Sequence, residues 1–209
     1  PLQLILAIFL FTIGFSANSQ TRYLDDIFSD VTTTSDITYA TNITVLPALS
    51  GQPPALAPLH CDIYEPTGDT AIDRPVIILA HGLRASKYDS DILLVAAILN
   101  HAGFNTLLFD QRDHGMSTIE DGHISVGTKE YLDLIASVDW LVNEQLIEPD
   151  RIGVYGLSMG AGTAAIAFGL DERIKAVILD SGYSDLNQIV KEELQREGFP
   201  SWLSNGAIW

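Results

Sequence analysis

Cys61 is the only cysteine in 209 residues, so no intrachain disulfide can form and cysteine usage says nothing about redox compartment. Positive charge is scarce as well: 11 Lys and Arg stand against 27 Asp and Glu, a net charge of −16. Nucleic acids and anionic membrane surfaces are recognised through cationic patches, so neither is an expected partner. The acidic excess reads as a solvated surface that keeps a globular chain in solution. The apolar run from Leu4 to Gly14 is too short to span a bilayer, so stable membrane insertion is not expected. Repeats and low-complexity linkers are lacking, and a single folded domain is the economical reading. His60 and Asp62 flank Cys61, but neighbouring strand residues point to opposite faces and a metal needs three or four convergent ligands. Cys61 therefore reads as a small buried thiol, with no metal and no organic cofactor implied.

The run Leu4 to Gly14 has the length of a signal-peptide core, and Ala17-Asn18-Ser19 supplies small residues where a signal peptidase cuts. Cleavage before Gln20 follows, with residues 1–19 as a partial leader, since neither an initiator Met nor a basic segment precedes the run. The expected location is secreted or periplasmic. Asn42-Ile43-Thr44 matches a glycosylation acceptor, which matters only in a eukaryotic host. Residues 20–58 read as an arm with edge strands, ending in a proline-bearing loop from Pro47 to Pro58, and residues 59–209 as the core.

Within that core the hydrophobic pattern is regular. Leu59 to Tyr64 alternates like a half-buried strand. Val76 to Ala80, Thr106 to Phe109, Arg151 to Tyr155 and Ala176 to Leu179 are apolar runs of strand length, the pattern of strands covered on both faces. Between them lie helical stretches at Tyr88–Ala102, closed by Gly103, at Lys129–Ile147 with Thr128 as N-cap, and at Met159–Phe168; Ser184–Arg196 follows. Strands alternating with helices predict an α/β fold, a mostly parallel sheet with helices on both faces.

The chemistry centres on Gly156-Leu157-Ser158-Met159-Gly160. This G-x-S-x-G pentapeptide follows a predicted buried strand and opens a predicted helix, the context in which it makes a nucleophile elbow. Gly156 and Gly160 remove the Cβ atoms that would collide in so tight a turn. Ser158 then projects from the turn, above a helix N-terminus that favours developing negative charge. His81-Gly82 ends the first buried strand, and its loop faces the elbow. The main-chain N–H groups of Leu83 and Met159 are the candidate oxyanion donors, each worth roughly 3 kcal/mol of barrier. His81 reads as a loop-fixing histidine and not as a general base.

Asp110-Gln111-Arg112-Asp113-His114-Gly115-Met116-Ser117 makes the resemblance specific. With the elbow and the His-Gly loop in the same order, the chain resembles the α/β-hydrolase superfamily from about Leu59 to Leu186. Members commonly carry Asp-x-Arg-Gly-His-Gly-x-Ser at this place; here Asp113 replaces the glycine, so a different local turn is expected. His81 to Asp185 is similar to bacterial esterases and acyl-peptidase-like hydrolases, whereas Tyr64-Glu65-Pro66-Thr67-Gly68 is more similar to secreted carboxylesterases. The resemblance implies a serine carboxylesterase acting on a small-molecule ester, with His114 structural. A peptidase or acyltransferase on the same fold, or a pseudo-hydrolase that binds without turnover, stays open.

All five histidines, His60, His81, His101, His114 and His123, precede Ser158. In this fold the triad order is serine, acid, histidine. The sequence-based expectation is thus a fold incomplete at its C-terminal side, with the histidine and the acid beyond Trp209 and the 209-residue piece nearly inactive. Asp180, at the end of the last predicted strand, is a secondary candidate for the acid. Acyl-chain preference, lid and oligomeric state are not legible.

Overall fold

The computed structural model describes residues 28–44, 55–70, 74–196, 198–200 and 202. The expected leader, the Ala17-Asn18-Ser19 site and the start of the loop at Pro47 lie outside them. Six strands form one sheet: β1 (Val31–Thr44), β2 (Ala55–Pro66), β3 (Val76–Ala80), β4 (Asn105–Phe109), β5 (Ile152–Leu157) and β6 (Ile174–Asp180). Their order is β1-β2-β4-β3-β5-β6. β4, β3, β5 and β6 run parallel, while β2 is antiparallel to both β1 and β4. The helices are α1 (Ser90–His101), α2 (Tyr131–Asn143), α3 (Met159–Leu170) and α4 (Leu186–Arg196).

Strand alternation divides the apolar runs between two layers. Val76, Ile78 and Ala80 of β3 join Leu107 and Phe109 of β4 and Val154 of β5 in a core closed by Leu134, Val138 and Leu141 of α2 and Ala164 and Ala167 of α3. Leu79, Leu108 and Tyr155 face the other way, onto Ile92 and Ala96 of α1. Both faces of the central strands are thus covered, which is why these strands read as unbroken apolar runs. Each fully buried Leu, Ile or Phe contributes about 1.5–3 kcal/mol. β6 differs: among the described residues it is, with β1, an edge strand, and Ile178 and Leu179 remain 58% and 48% exposed.

Helix ends follow local chemistry. Asp89 caps α1 by accepting from Asp91 N, and Gly103, at φ +98°, ends it by donating its N–H to Asn100 O. At α2 the expected cap at Thr128 is wrong. Thr128 Oγ1 turns back to Ser125 O, and the buried Glu130 carboxylate instead accepts the N–H groups of Ser125 and Gly127. A carboxylate satisfies those donors more strongly than a hydroxyl, and α2 begins at Tyr131. The loop expected up to Pro58 also yields in part to strand, since β2 starts at Ala55. This end of β2 pairs with β1, whereas β4 pairs only with Cys61 to Tyr64, so a proline lacking its N–H is tolerated.

Arg112, just past β4, fastens the sheet to α2. Its guanidinium forks onto Asp133, with Nη2 to Oδ1 at 2.7 Å, and Nη1 donates to Glu120 at 2.9 Å. Burial works against its charge, but the Asp133 and Glu120 carboxylates more than offset this and hold the guanidinium above its ordinary pKa. Asp133→Ala leaves that cation buried without its main partner and is expected to cost about 3–5 kcal/mol in urea unfolding. Replacing Arg112 and Asp133 together with leucine should cost clearly less.

Candidate active site

The ends of β3, β4, β5 and β6 open onto one rim, and the elbow stands at its centre. Ser158 connects β5 to α3 with φ 55° and ψ −114°, a left-handed backbone that a non-glycine residue adopts only under constraint. The constraint is visible on both sides. A Cβ on Gly156 would overlap Gly160 O, and a Cβ on Gly160 would overlap Ala80 O and approach His81 O to 2.7 Å. β5, the end of β3 and the first turn of α3 therefore touch main chain to main chain. Ser158 N donates to Asp180 O at 2.8 Å, tying the elbow to the end of β6. Its side chain is exposed, and Oγ makes no hydrogen bond among the described residues.

The loop after β3 lies against this serine. A Cβ on Gly82 would sit 3.4 Å from Ser158 Cβ and 4.0 Å from its Oγ, so the backbone leading to Leu83 passes beside the hydroxyl. Of the two candidate oxyanion donors, Met159 N belongs to the residue that follows Ser158 and opens α3, and Leu83 N to the residue that follows Gly82. Met159 is buried and Leu83 is 51% exposed.

His81 is wholly buried beneath the loop. Its Nδ1 lies 2.9 Å from Gly82 O, and Gln111 N approaches its Nε2 at 3.3 Å. A carbonyl only accepts, so the proton is on Nδ1 and Nε2 accepts from Gln111. Burial is the main influence on the ring and pushes its pKa down to about 4. Gln111 also donates to His81 O at 2.9 Å and accepts from Thr163 of α3 at 3.0 Å, linking the His-Gly loop to the helix behind the elbow. His114 lies with its ring centroid 5.0 Å from that of His81, and its Nδ1 donates to Arg112 O at 2.8 Å.

Asp113 stands in a left-handed turn. It takes φ +60°, the conformation a glycine would adopt, which Asp tolerates better than most side chains. Its Oδ1 accepts the N–H groups of Glu120 and Gly122 at 2.8 and 2.9 Å, so the side chain also organises the following turn. Asp180, the secondary acid candidate, ends β6 as expected. Its Oδ2 accepts Tyr155 Oη at 2.6 Å and its Oδ1 accepts Ser181 Oγ at 2.9 Å. Those two hydroxyl bonds, Tyr155's first, hold its pKa below the usual carboxylate value.

Sequence reading missed the buried charges that fix the rim. Asp110, wholly buried, accepts Lys87 N at 2.7 Å and Met116 N at 2.8 Å, and Lys87 Nζ reaches Asp62 Oδ1 of β2 at 2.7 Å. The only local signal was Gly115: it has φ +53°, and a Cβ there would overlap the Asp110 carboxylate. Cys61 is fully buried and burial pushes its thiol up to about 12, while Asp62 faces Lys87. Among the described residues no group of three His, Cys, Asp or Glu could hold a metal ion.

The family described as the alpha/beta hydrolase fold matches residues 75–207. The chain belongs to the α/β-hydrolase family. It is 32% identical over 135 residues to an uncharacterized 31.7 kDa protein of Escherichia coli from the traX-finO intergenic region, covering 64% of this chain and 46% of that protein. The thiohydrolase aneE of Aspergillus aculeatus is 31% identical over 104 residues, half of this chain and 32% of the fungal protein. Among solved structures, the Pyrococcus furiosus esterase Pf2001 superposes with a TM-score of 0.59 at 26% identity, over 84% of this chain and 60% of the esterase. The α/β-hydrolase chain here thus spans under half the length of the E. coli relative and about three fifths of the esterase.

Gly160→Ala is expected to destabilise the protein by about 3 kcal/mol, the upper end for overpacking, because the added carbon meets main chain that cannot swing away. A urea titration compared with Gly169→Ala, where a Cβ meets nothing, checks this. For His81, nitrogen NMR should show a neutral Nδ1–H ring that titrates near pH 4. The unfolded ring takes up its proton near 6.5. Its contribution to stability is therefore full above about pH 6.5 and is lost as the pH falls towards 4.

Proposed function

We propose that this chain carries the nucleophile of a serine hydrolase that cleaves carboxylic esters through an acyl-enzyme on Ser158. The observation that carries the reading is the left-handed backbone at Ser158, set beside the Gly82-Leu83 loop. Backbone strain of this sort, of order 1–3 kcal/mol, persists only where the surroundings enforce it. Here it holds an exposed hydroxyl beside the Gly82 backbone, which supports Leu83 and Met159 N–H as the oxyanion donors.

In this mechanism Ser158 Oγ attacks the ester carbonyl carbon and gives its proton to a general base. The carbonyl oxygen, now an anion, accepts the N–H groups of Leu83 and Met159. Collapse of the tetrahedral intermediate expels the alcohol, which takes the proton from the base and leaves an acyl group on Oγ. Water, deprotonated by the same base, then releases the acid and restores the serine. The thiohydrolase among the relatives and the esterase among the structural neighbours support acyl transfer to water. No cofactor enters these steps.

None of the five histidines is placed to act as that base. His81 and His114 are committed to main-chain oxygens, His60 faces Asp36 at 2.8 Å, and His123 bonds Asp121 O. His101 ends α1 and leads into the start of β4, whereas the elbow follows the end of its parallel companion β5. The reading therefore requires a further histidine. Both Asp180 oxygens already accept hydroxyls, which favours a role for this carboxylate in fastening the ends of β5 and β6 over one as triad acid. An exported enzyme, as the run from Leu4 to Gly14 suggests, is part of the same proposal.

The test is p-nitrophenyl butyrate turnover and fluorophosphonate labelling of the full-length protein, with Ser158→Ala alongside. The expected result is loss of labelling and a fall in kcat of about four orders of magnitude or more. Turnover that survives Ser158→Ala would remove the serine mechanism. An ester, thioester and amide panel then separates the esterase from a peptidase.

A further inference from the structure

Three exposed apolar side chains stand on the loops after β3 and β4, at the same end of the sheet as the elbow: Leu83, Tyr88 and Met116, at 51%, 49% and 46% exposure. Leu83 and Tyr88 belong to the loop after β3, and Met116 to the loop after β4, its parallel neighbour. Scattered exposed apolar residues are ordinary on protein surfaces. These differ because buried charges hold the surface they form. The Asp110 carboxylate grips Lys87 N with one oxygen and Met116 N with the other, so a single buried group brings the two loops together. Lys87 sends its side chain down to Asp62, and Nζ passes 5.1 Å from the centroid of the Tyr88 ring. That cation holds the ring by its face. At the other end, Tyr88 Oη donates to Met116 Sδ at 3.7 Å. Nothing in the mechanism above uses Tyr88 or Met116, yet both are fixed.

The surface is continuous with the candidate active site. Gly82, which packs on Ser158, directly precedes Leu83. Strand β3 separates β5 from β4, so the shelf reaches across two strand spacings, about 10 Å, away from the hydroxyl. We propose that Leu83, Tyr88 and Met116 form the subsite for an extended aliphatic acyl chain, and that the substrates are esters of medium-chain fatty acids. The assignment rests on Ser158 as the nucleophile. A chain laid on the shelf removes apolar surface from water on both sides. The flexible thioether of Met116 adapts to its shape, and a shelf already fixed loses little freedom on binding. An acetyl group ends before it reaches Tyr88 and Met116.

The experiment measures kcat/KM of the full-length protein for p-nitrophenyl octanoate and p-nitrophenyl acetate. Substituting both Tyr88→Ser and Met116→Ser should lower the octanoate-to-acetate ratio roughly tenfold or more. Ile98→Ser, an equally exposed apolar position on α1, should leave the ratio as it is. An unchanged ratio in the double variant overturns the proposal. An unchanged ratio accompanied by a lowered Tm also overturns it, since the shelf is then covered by another part of the protein or by a second copy. Calorimetry of octanoate with Ser158→Ala separates the two readings. Binding that disappears with the double substitution supports the shelf even where turnover proves independent of Ser158, and absence of binding counts against it.

Discussion

The geometry of the rim depends on one close approach, that of the first turn of α3 to the end of β3. Gly160 has its α-carbon against Ala80 O, and Gly156 lies under Gly160 O, so three pieces of main chain share a space that admits no side chain. With β5 entering from below and α3 leaving above, Ser158 can join them only through φ 55°. The same contact brings Gly82 beside the serine, because Gly82 follows Ala80 by two positions. Elbow and loop are therefore one packing event. A change that relaxed the first would move the second.

Charge buried under the rim then sets how rigid the loops are. The protein carries far more acid than base, yet two of its few cations are sunk inside it: Lys87 on Asp62 and Arg112 on Asp133. Such pairs contribute little net stability, because desolvation offsets most of the attraction. Their effect is geometric. Asp110 and Lys87 between them determine where the loops after β3 and β4 lie, and Arg112 determines where α2 meets the sheet.

The order and type of the core elements were readable because every central strand is covered on both faces and α2 carries an apolar stripe. Gly156, Ser158 and Gly160 were readable because their chemistry is local to five residues. Asp113 was legible only as a departure from glycine; that its short acidic side chain takes the left-handed backbone and bonds the next turn was not. Thr128 was misread because its hydroxyl turns back to Ser125 O, while the Glu130 carboxylate takes the N–H groups of the turn before α2. Lys87 and Asp62 left no trace, since they are 25 positions apart and a lone lysine in a loop looks like any solvated charge. Tyr155 was seen only as strand apolarity, though its hydroxyl fastens Asp180.

Asp62 has one more partner. Its Oδ1 also accepts Asp36 N at 2.7 Å, at the irregularity in β1 where the pairing with β2 shifts register and Asp36 adopts φ +59°. One oxygen atom thus joins the outermost strand to the lysine that anchors the loop bearing Leu83. The hairpin at the sheet margin, remote from any chemistry in sequence, is mechanically in series with it. One carboxylate oxygen therefore serves both the outer strand and the loop after β3, and losing it would loosen the two together.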